Sequence, residues 1–191
     1  AMYALVSLLN QPHFDRVFKI WRDLEARFGL RYVLAPTPLP HVTWQAAEDY
    51  NQPALVDGLD RWTKRMEPMT ARVDGLGLFS GEAPTVYLKV VPSPRLAALH
   101  RQLFDLTLSM STELGPYYQP ANWVPHITLA SMHELTPAVL PKVVKYLEQG
   151  SYHWRIRIES VSLLCLQASG RAHETERFGF GEGLIRSSTC E

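Results

Sequence analysis

Two seven-residue segments repeat one pattern of side chains. Residues 39–45 read LPHVTWQ and residues 124–130 read VPHITLA. Each contains a proline, a histidine, a β-branched apolar residue, a threonine and an apolar residue, in that order. If both segments are β-strands, alternate residues face opposite sides. Each strand then places a histidine and a threonine on one face and apolar residues on the other.

The residues of these two segments suit acid–base chemistry at a phosphodiester. An imidazole has an unperturbed pKa near 6.5, so of two histidines in one cleft one can be neutral while the other is protonated. His41 and His126 would then take a proton from an attacking water and give one to the leaving oxygen. The hydroxyls of Thr43 and Thr128 would donate hydrogen bonds to the non-bridging oxygens.

Other kinds of site fit the sequence less well. A single His-x-Thr tripeptide occurs easily by chance, and only the second copy in the same context gives the pattern weight. Two histidines without a neighbouring carboxylate or cysteine make a poor zinc site, so we expect no metal and no cofactor. The sequence contains neither GxSxG nor a GxxxxGKS loop. Structural roles are expected for the five other histidines: His13, His100, His133, His153 and His173.

The composition narrows the classes of partner. The 191 residues are 46% hydrophobic and 20% charged, with a formal net charge of zero. A protein that grips a long duplex usually carries a basic field, so a nucleotide or a nucleic-acid end is the better partner. No apolar run is long enough to span a bilayer. The two cysteines, Cys165 in an apolar run and Cys190 near the end of the sequence, show no disulfide framework and favour a reducing cytoplasm. A monomer is expected.

Hydrophobic periodicity predicts an α+β chain. Helices are predicted after Asn10 to Gly29 and over residues 53–66, 94–114 and 137–148. Strands are predicted over residues 2–9, 41–45, 69–79, 85–91, 126–130, 152–159 and 161–167, with RFGFG as a last edge strand. Each half of this order contains two helices, several strands and one motif. We therefore expect a single domain over residues 2–191 with two lobes, each contributing one motif.

The same alternation selects further residues that would face the cleft. Val86, Leu88 and Val90 have the apolar character of core positions, which turns Tyr87 and Lys89 to the other face. In the same way Trp154, Ile156 and Ile158 are predicted to be buried, with Arg155 and Arg157 opposite them. Tyr87 would stack on a base and an arginine would hold a phosphate. The alternative is that all four are ordinary solvent-exposed strand residues.

The paired motifs resemble those of the 2H phosphoesterase superfamily, and WVPHITLA is especially similar to the second motif of its 2'-5' RNA ligase and RNA cyclic phosphodiesterase branch. The resemblance implies a bilobal, pseudo-symmetric fold, with two mostly antiparallel sheets, helices on their outer faces and a central groove. It also implies that His41 and His126 are catalytic and that Thr43 and Thr128 bind the phosphate. Ser131 stands where many relatives have an arginine.

The function expected from this resemblance is metal-independent hydrolysis of 2',3'-cyclic phosphates or 2'-5' phosphodiesters of nucleotides or RNA ends. Two alternatives stay open. The chain is a non-catalytic module that binds nucleotides or RNA ends, or it joins RNA ends through the reverse reaction. The sequence does not decide which histidine is the acid and which is the base.

Overall fold

The computed structural model describes residues 2–167 and 169–189. Its helices are α1 (His13–Phe28), α2 (Gln52–Thr63), α3 (Pro94–Thr107) and α4 (Leu140–Leu147). Its strands are β1 (Met2–Leu8), β2 (His41–Tyr50), β3 (Met69–Phe79), β4 (Thr85–Val90), β5 (Ser111–Leu114), β6 (His126–Ser131), β7 (His153–Ile158), β8 (Ser160–Leu166), β9 (Ala172–Gly179) and β10 (Gly183–Ser187). The predicted α+β class is confirmed.

The strands form two antiparallel sheets. The larger has six strands in the order β10-β9-β8-β1-β2-β5, and the smaller has four in the order β6-β4-β3-β7. The two motifs lie on β2 and β6 and therefore in different sheets. Each sheet takes strands from both halves of the sequence. The chain crosses between the sheets, for example from β7 directly into β8.

Helices cover one face of each sheet. α2 and α3 pack on the six-stranded sheet, whereas α1 lies against β6 of the four-stranded sheet and meets α4 through the rings of Phe28 and Tyr146. The buried side of α1 is formed by Val17, Trp21 and Leu24, and the helix ends where Gly29 adopts a left-handed φ of 69°. Glycine adopts this left-handed conformation without steric strain because it has no Cβ atom. The opposite faces of both sheets are left to form the groove.

The helix predicted over residues 94–114 is too long. α3 ends at Thr107, and after a short 3₁₀ turn residues 111–114 form β5. β2 extends to Tyr50, well past the predicted end of the strand, and its outer edge needs partners for its backbone groups. β5 supplies them through the pairs Ala47–Leu114 and Tyr50–Ser111. The spacing of hydrophobic residues does not predict pairing between strands that lie far apart in the sequence.

The predicted edge strand RFGFG is also only partly right. It is the end of β9, which runs between β8 and β10, and the edge strand is β10. The polar residues that precede RFGFG obscure the hydrophobic pattern of this strand in the sequence. Glu174 is only 6% exposed, because its carboxylate accepts hydrogen bonds from Ser162, Arg177 and Arg186. A buried charge of this kind is tolerated when it is fully paired.

The sequence predictions for the two cysteines and for membrane-spanning segments can be compared with the structure. Cys165 is buried, as its apolar surroundings predict. Cys190 lies outside the described residues. Among the helices of the described residues, none combines the length and the hydropathy needed to cross a membrane.

Candidate active site

Both motif strands show the same alternation of burial. On β2, His41 and Thr43 are half-buried while Val42 and Trp44 are buried. On β6 the pattern repeats, with His126 and Thr128 half-buried and Ile127 and Leu129 buried. The two strands lie beside each other where the sheets meet. The structure thus brings the two histidine–threonine pairs together on the open faces of the sheets.

The two imidazoles are anchored in the same way. His41 Nδ1 lies 2.5 Å from the carbonyl oxygen of Leu39, and His126 Nδ1 lies 2.7 Å from that of Val124. A carbonyl oxygen only accepts hydrogen bonds, so in each case Nδ1 carries a hydrogen and donates it. In the neutral form the lone pair is therefore on Nε2. In each histidine the anchor uses Nδ1 and not Nε2.

The prolines before the two histidines contribute to this geometry. Pro40 and Pro125 have a fixed φ and no backbone N–H, and each stands between the histidine and the carbonyl that holds it. Their own carbonyls continue the sheets, since Pro40 accepts from Leu9 and Pro125 accepts from Val90. The proline in each motif therefore helps to orient the imidazole.

Burial and mutual repulsion set the protonation of the pair. Burial lowers the pKa of His41 and of His126, because both imidazolium ions lose contact with water. The charge of His126 lowers the pKa of His41 further. This coupling means that the two rings are close enough for one charge to disfavour the other. The repulsion therefore disfavours the state in which both imidazoles are protonated.

The threonines are fixed through their backbone rather than through their hydroxyls. The indole N–H of Trp123 donates to the carbonyl oxygen of Thr43 at 3.0 Å, and that of Trp21 donates to the carbonyl oxygen of Thr128 at 3.0 Å. Neither threonine hydroxyl is hydrogen-bonded to another of the residues that the structure describes. Each hydroxyl is thus available to a ligand on the open face.

Behind the first motif lies an aromatic stack that the sequence did not predict. The ring of His100 lies 4.0 Å from that of Trp123 at an interplanar angle of 4°, and Trp123 stacks in turn on Trp44 at 5.4 Å. His100 Nε2 lies 3.1 Å from the carbonyl oxygen of Trp44. The stack holds the loop before β6 against β2. The only indication of this stack in the sequence is the tryptophan three residues before His126.

Two aromatic rings form a wall beside the second motif. Tyr87 and Phe79 lie 4.3 Å apart, and the centroid of each is 5.1 Å from that of His126. Tyr87 faces the open side, as predicted, but it is only 8% exposed. Its ring lies directly over Gly77, where a Cβ atom would come within 2.2 Å of it. Gly77 therefore makes room for the wall.

Replacing Gly77 with alanine is expected to displace Tyr87 and to cost about 1–3 kcal/mol of stability through overpacking. The measurement is chemical denaturation of wild type, Gly77→Ala, Tyr87→Ala and the double variant. If the clash is the cause, Tyr87→Ala removes most of the cost of Gly77→Ala, with a coupling of roughly 0.5–3 kcal/mol. Additive effects of the two substitutions would contradict the assignment.

Lys89 and Ser131 lie close to the wall. Lys89 is exposed and is the cross-strand partner of His126. A register shift between Val86 and Tyr87 accommodates an extra residue in β6 and returns Ser131 to the open face. There the hydroxyls of Ser131 and Thr85 are 2.7 Å apart. Ser131 is thus bonded to its neighbour and only 8% exposed.

Arg155 and Arg157 are farther away, on the edge strand β7. Both are exposed while Ile156 and Ile158 are buried, as the alternation predicts. Trp154 is not fully buried as predicted, because it lies at the rim, where Arg16 packs over its ring. Arg157 is paired with Glu159 at 2.5 Å.

A cavity of about 620 Å³ is lined by residues that pair with or anchor His41, while His41 is not part of the lining. Its wall includes Leu8, the cross-strand partner of His41, and Leu39, whose carbonyl holds the imidazole. Arg157 and Arg177 also line the cavity. Cavities of this size accommodate small ligands. No group of three or more potential metal-ligating side chains was found among the described residues.

Comparisons with known proteins agree with the fold and the motifs. The family model of the 2'-5' RNA ligase superfamily matches residues 13–169. A protein of Oceanobacillus iheyensis, provisionally named a phosphoesterase, is 29% identical over 110 residues. The match spans 56% of this chain and 59% of that protein, so it covers little more than half of the relative's length.

Solved structures show the same fold. TT0787 of Thermus thermophilus superposes with a TM-score of 0.66 at 16% identity, over 95% of this chain and 99% of that one. E. coli LigT in complex with 3'-AMP superposes with a TM-score of 0.59 at 16% identity, over 94% of this chain and 99% of that one. With a family model that covers most of its length, the chain belongs to the 2'-5' RNA ligase superfamily, and its resemblance to the 2H phosphoesterases is confirmed.

Proposed function

We propose that this protein is a phosphodiesterase that hydrolyses 2',3'-cyclic phosphate or 2'-5' phosphodiester bonds of nucleotides or RNA ends, with His41 and His126 as the acid–base pair. The observation that supports it most is the matched anchoring of both imidazoles through Nδ1, which leaves two Nε2 atoms on neighbouring strands. Crystal structures of E. coli LigT are described as complexes with 3'-AMP, NADP+ and ATP. They support a nucleotide as the ligand of this groove.

The proposed reaction needs two proton transfers. The neutral imidazole takes a proton from water through Nε2 as the water oxygen attacks phosphorus. The bond from phosphorus to one ribose oxygen breaks, and the protonated imidazole gives that oxygen its proton. The products are a phosphomonoester and a free ribose hydroxyl. Because the site is nearly symmetric, the orientation of the substrate decides which of the two histidines is the base.

Thr43 and Thr128 stabilise the charge that builds on the non-bridging oxygens. Their hydroxyls lie on the same faces as the histidines and are free to donate. The indole–carbonyl bonds from Trp123 and Trp21 hold both strands at the threonines. Donors fixed in advance lower the barrier because they need no reorganisation during the reaction. The hydrolysis thus uses only side chains of this protein, without a metal or a cofactor.

The proposal is tested by turnover of nucleoside 2',3'-cyclic phosphates, 2'-5' dinucleotides and RNA with a cyclic phosphate end, in the presence of EDTA. Release of a phosphomonoester end supports it. Binding of 3'-nucleotides without turnover of any of these substrates would overturn it in favour of a binding module. Joining of tRNA half-molecules would assign the reverse reaction to the same site.

The rate is expected to show a bell-shaped dependence on pH with its optimum below 6.5. Raising the pH removes the proton of the acid, and lowering the pH protonates the base, so kcat/KM falls on both sides. Both pKa values are lowered by burial, which moves the bell toward acid. A bound phosphodiester anion favours the imidazolium form, so the profile of kcat lies at higher pH than that of kcat/KM.

The measurement is the initial rate of cyclic phosphate hydrolysis at constant ionic strength across the range from acid to mildly alkaline pH. Thermal unfolding at each pH separates titration of the site from loss of the fold. An optimum well above the usual pKa of histidine would contradict the assignment of these two buried imidazoles as the acid and the base.

A further inference from the structure

The strand that contains the first motif is irregular at one residue. Thr43 and Gln45 pair with Val6 and Leu5, which are consecutive on β1, so Trp44 between them is an extra residue in the ladder. On the other side of β2, pairing with β5 begins only beyond this point. Such a β-bulge re-aims the side chains beside it and leaves the extra residue unpaired. The direction of the Thr43 side chain therefore depends on how this bulge is held.

The carbonyl of the bulged residue is bound by a side chain of helix α3. His100 is only 2% exposed, and its Nε2 lies 3.1 Å from the carbonyl oxygen of Trp44. Because a carbonyl oxygen only accepts hydrogen bonds, Nε2 carries the hydrogen and donates it. A buried backbone carbonyl outside the ladder needs a donor of this kind. His100 thus fixes the bulge from the helical side of the sheet.

The carbonyl just before the bulge is bound by the ring that stacks on His100. Trp123 donates its indole N–H to the carbonyl oxygen of Thr43 at 3.0 Å, and its ring lies parallel to that of His100 at 4.0 Å. Two stacked rings therefore hold two successive carbonyls of the motif strand, those of Thr43 and Trp44. We call His100 and Trp123 the carbonyl clamp.

Attachment of the loop before β6 accounts for only part of this arrangement. None of residues 115–124 is buried, and in the described part of the chain the bonds between backbone groups of residues 116–124 stay within the loop. The stack on His100 therefore does hold the loop on the sheet. Stacking alone would serve that purpose with any flat ring at position 100. The hydrogen bond from Nε2 serves the bulge instead.

The second motif is held by different contacts. Trp21 on α1 donates its indole N–H to the carbonyl oxygen of Thr128 at 3.0 Å, and β6 pairs along its length with β4. None of these contacts involves His100. Loss of the clamp should therefore act on Thr43 and spare Thr128.

We propose that His100 is a positioning residue of the candidate active site, which holds the bulge at Trp44 so that the hydroxyl of Thr43 points at the reacting phosphate. The inference rests on the proposed function and adds a residue that acts through another rather than on the substrate. It assigns a role to a buried imidazole that the proposed acid–base steps do not use.

The test measures kcat and KM on a nucleoside 2',3'-cyclic phosphate. His100→Phe keeps a flat ring without the donor, Trp123→Phe loses the indole N–H, and His100→Gln keeps a donor for the carbonyl. We expect both phenylalanine variants to lower kcat by roughly 10- to 100-fold with little change in KM, because a misplaced group costs rate rather than binding. His100→Gln should recover most of the rate. The control is Leu96→Val in the core side of the same helix, which should lose thermal stability and keep kcat.

A double-variant cycle shows whether the loss passes through Thr43. In the Thr43→Val background His100→Phe should add little, because the hydroxyl that it positions is already gone. In the Thr128→Val background the two losses should multiply. Equal multiplication in both backgrounds would show a general loss of structure and overturn the inference. An unchanged kcat in His100→Phe, with an active wild type, would overturn it as well.

Hydrogen exchange separates this inference from the proposed function, because it needs no turnover. In isotope-labelled protein followed by NMR, the indole N–H of Trp123 should exchange faster in His100→Phe than in wild type, and that of Trp21 should keep its rate. Unchanged exchange at Trp123 would overturn the inference whatever the activity. Absence of hydrolysis by wild type would overturn the proposed function, while faster exchange at Trp123 alone would still support His100 as the residue that holds the strand at Thr43.

Discussion

Replacing either His41 or His126 with alanine is expected to lower kcat on a 2',3'-cyclic phosphate by about 10²- to 10⁴-fold. Each imidazole is held by one carbonyl through Nδ1 and presents Nε2 to the groove. Removing one leaves the other without the partner that must carry the opposite proton. The loss should appear in kcat and in kcat/KM, because both proton transfers belong to the transition state rather than to ground-state binding.

The double variant sharpens this expectation. When two residues act as one unit, replacing both lowers the rate far less than the two single losses combined would predict. His41→Ala combined with His126→Ala should therefore be only slightly slower than either single variant. His173→Ala is the matched control, since this histidine lies on β9 and contacts Ser188 instead of the groove. Near wild-type turnover in both single variants would remove the basis of the proposed mechanism.

The motif strands could be predicted because their physical signal is local. His41 and His126 alternate with core residues over four positions, and the period of two is a property of any extended chain. The same reasoning placed Tyr87, Lys89, Arg155 and Arg157 on the correct side of their strands. Which of these side chains lie near the histidines depends on the strand order, and the strand order is a long-range property.

What the sequence did not reveal depends on contacts between distant segments. Trp21 and Trp123 look like ordinary core residues in a hydrophobic pattern, yet their indole N–H groups hold the carbonyls of the two motif threonines. β5 exists because β2 has a free edge beside it. Glu174 is buried because residues up to 12 positions away pair with it. None of these features has a periodic signature, so hydrophobic patterns cannot report them.

The proposed mechanism gives a reason for the second copy of the motif. A phosphodiester requires one proton to leave and one to arrive, and a single imidazole is in only one protonation state at a time. Repulsion between the two imidazolium charges disfavours the doubly protonated pair. The matched anchors at Leu39 and Val124 make the two sites alike, so under the proposed mechanism a substrate bound in either direction would meet a base on one side and an acid on the other.

The second large effect is expected from the motif threonines. Thr43→Val or Thr128→Val removes one hydroxyl donor from the proposed phosphate site and should lower kcat by about 10²- to 10³-fold, the cost of losing one preorganised donor to a charged transition state. Valine keeps the β-branched shape that suits a strand. The indole bonds go to the backbone carbonyls, so they survive the substitution. Thermal stability should change little.

The serine variants distinguish a hydroxyl that donates from one that only fills space. Thr43→Ser and Thr128→Ser keep the donor and should retain most of the activity, whereas Thr112→Val, on the exposed strand β5, should have no effect. If each hydroxyl serves its own non-bridging oxygen, the losses of the two valine variants should multiply in the double variant. Valine and serine variants with equal activity would show that the hydroxyls do not stabilise the reacting phosphate.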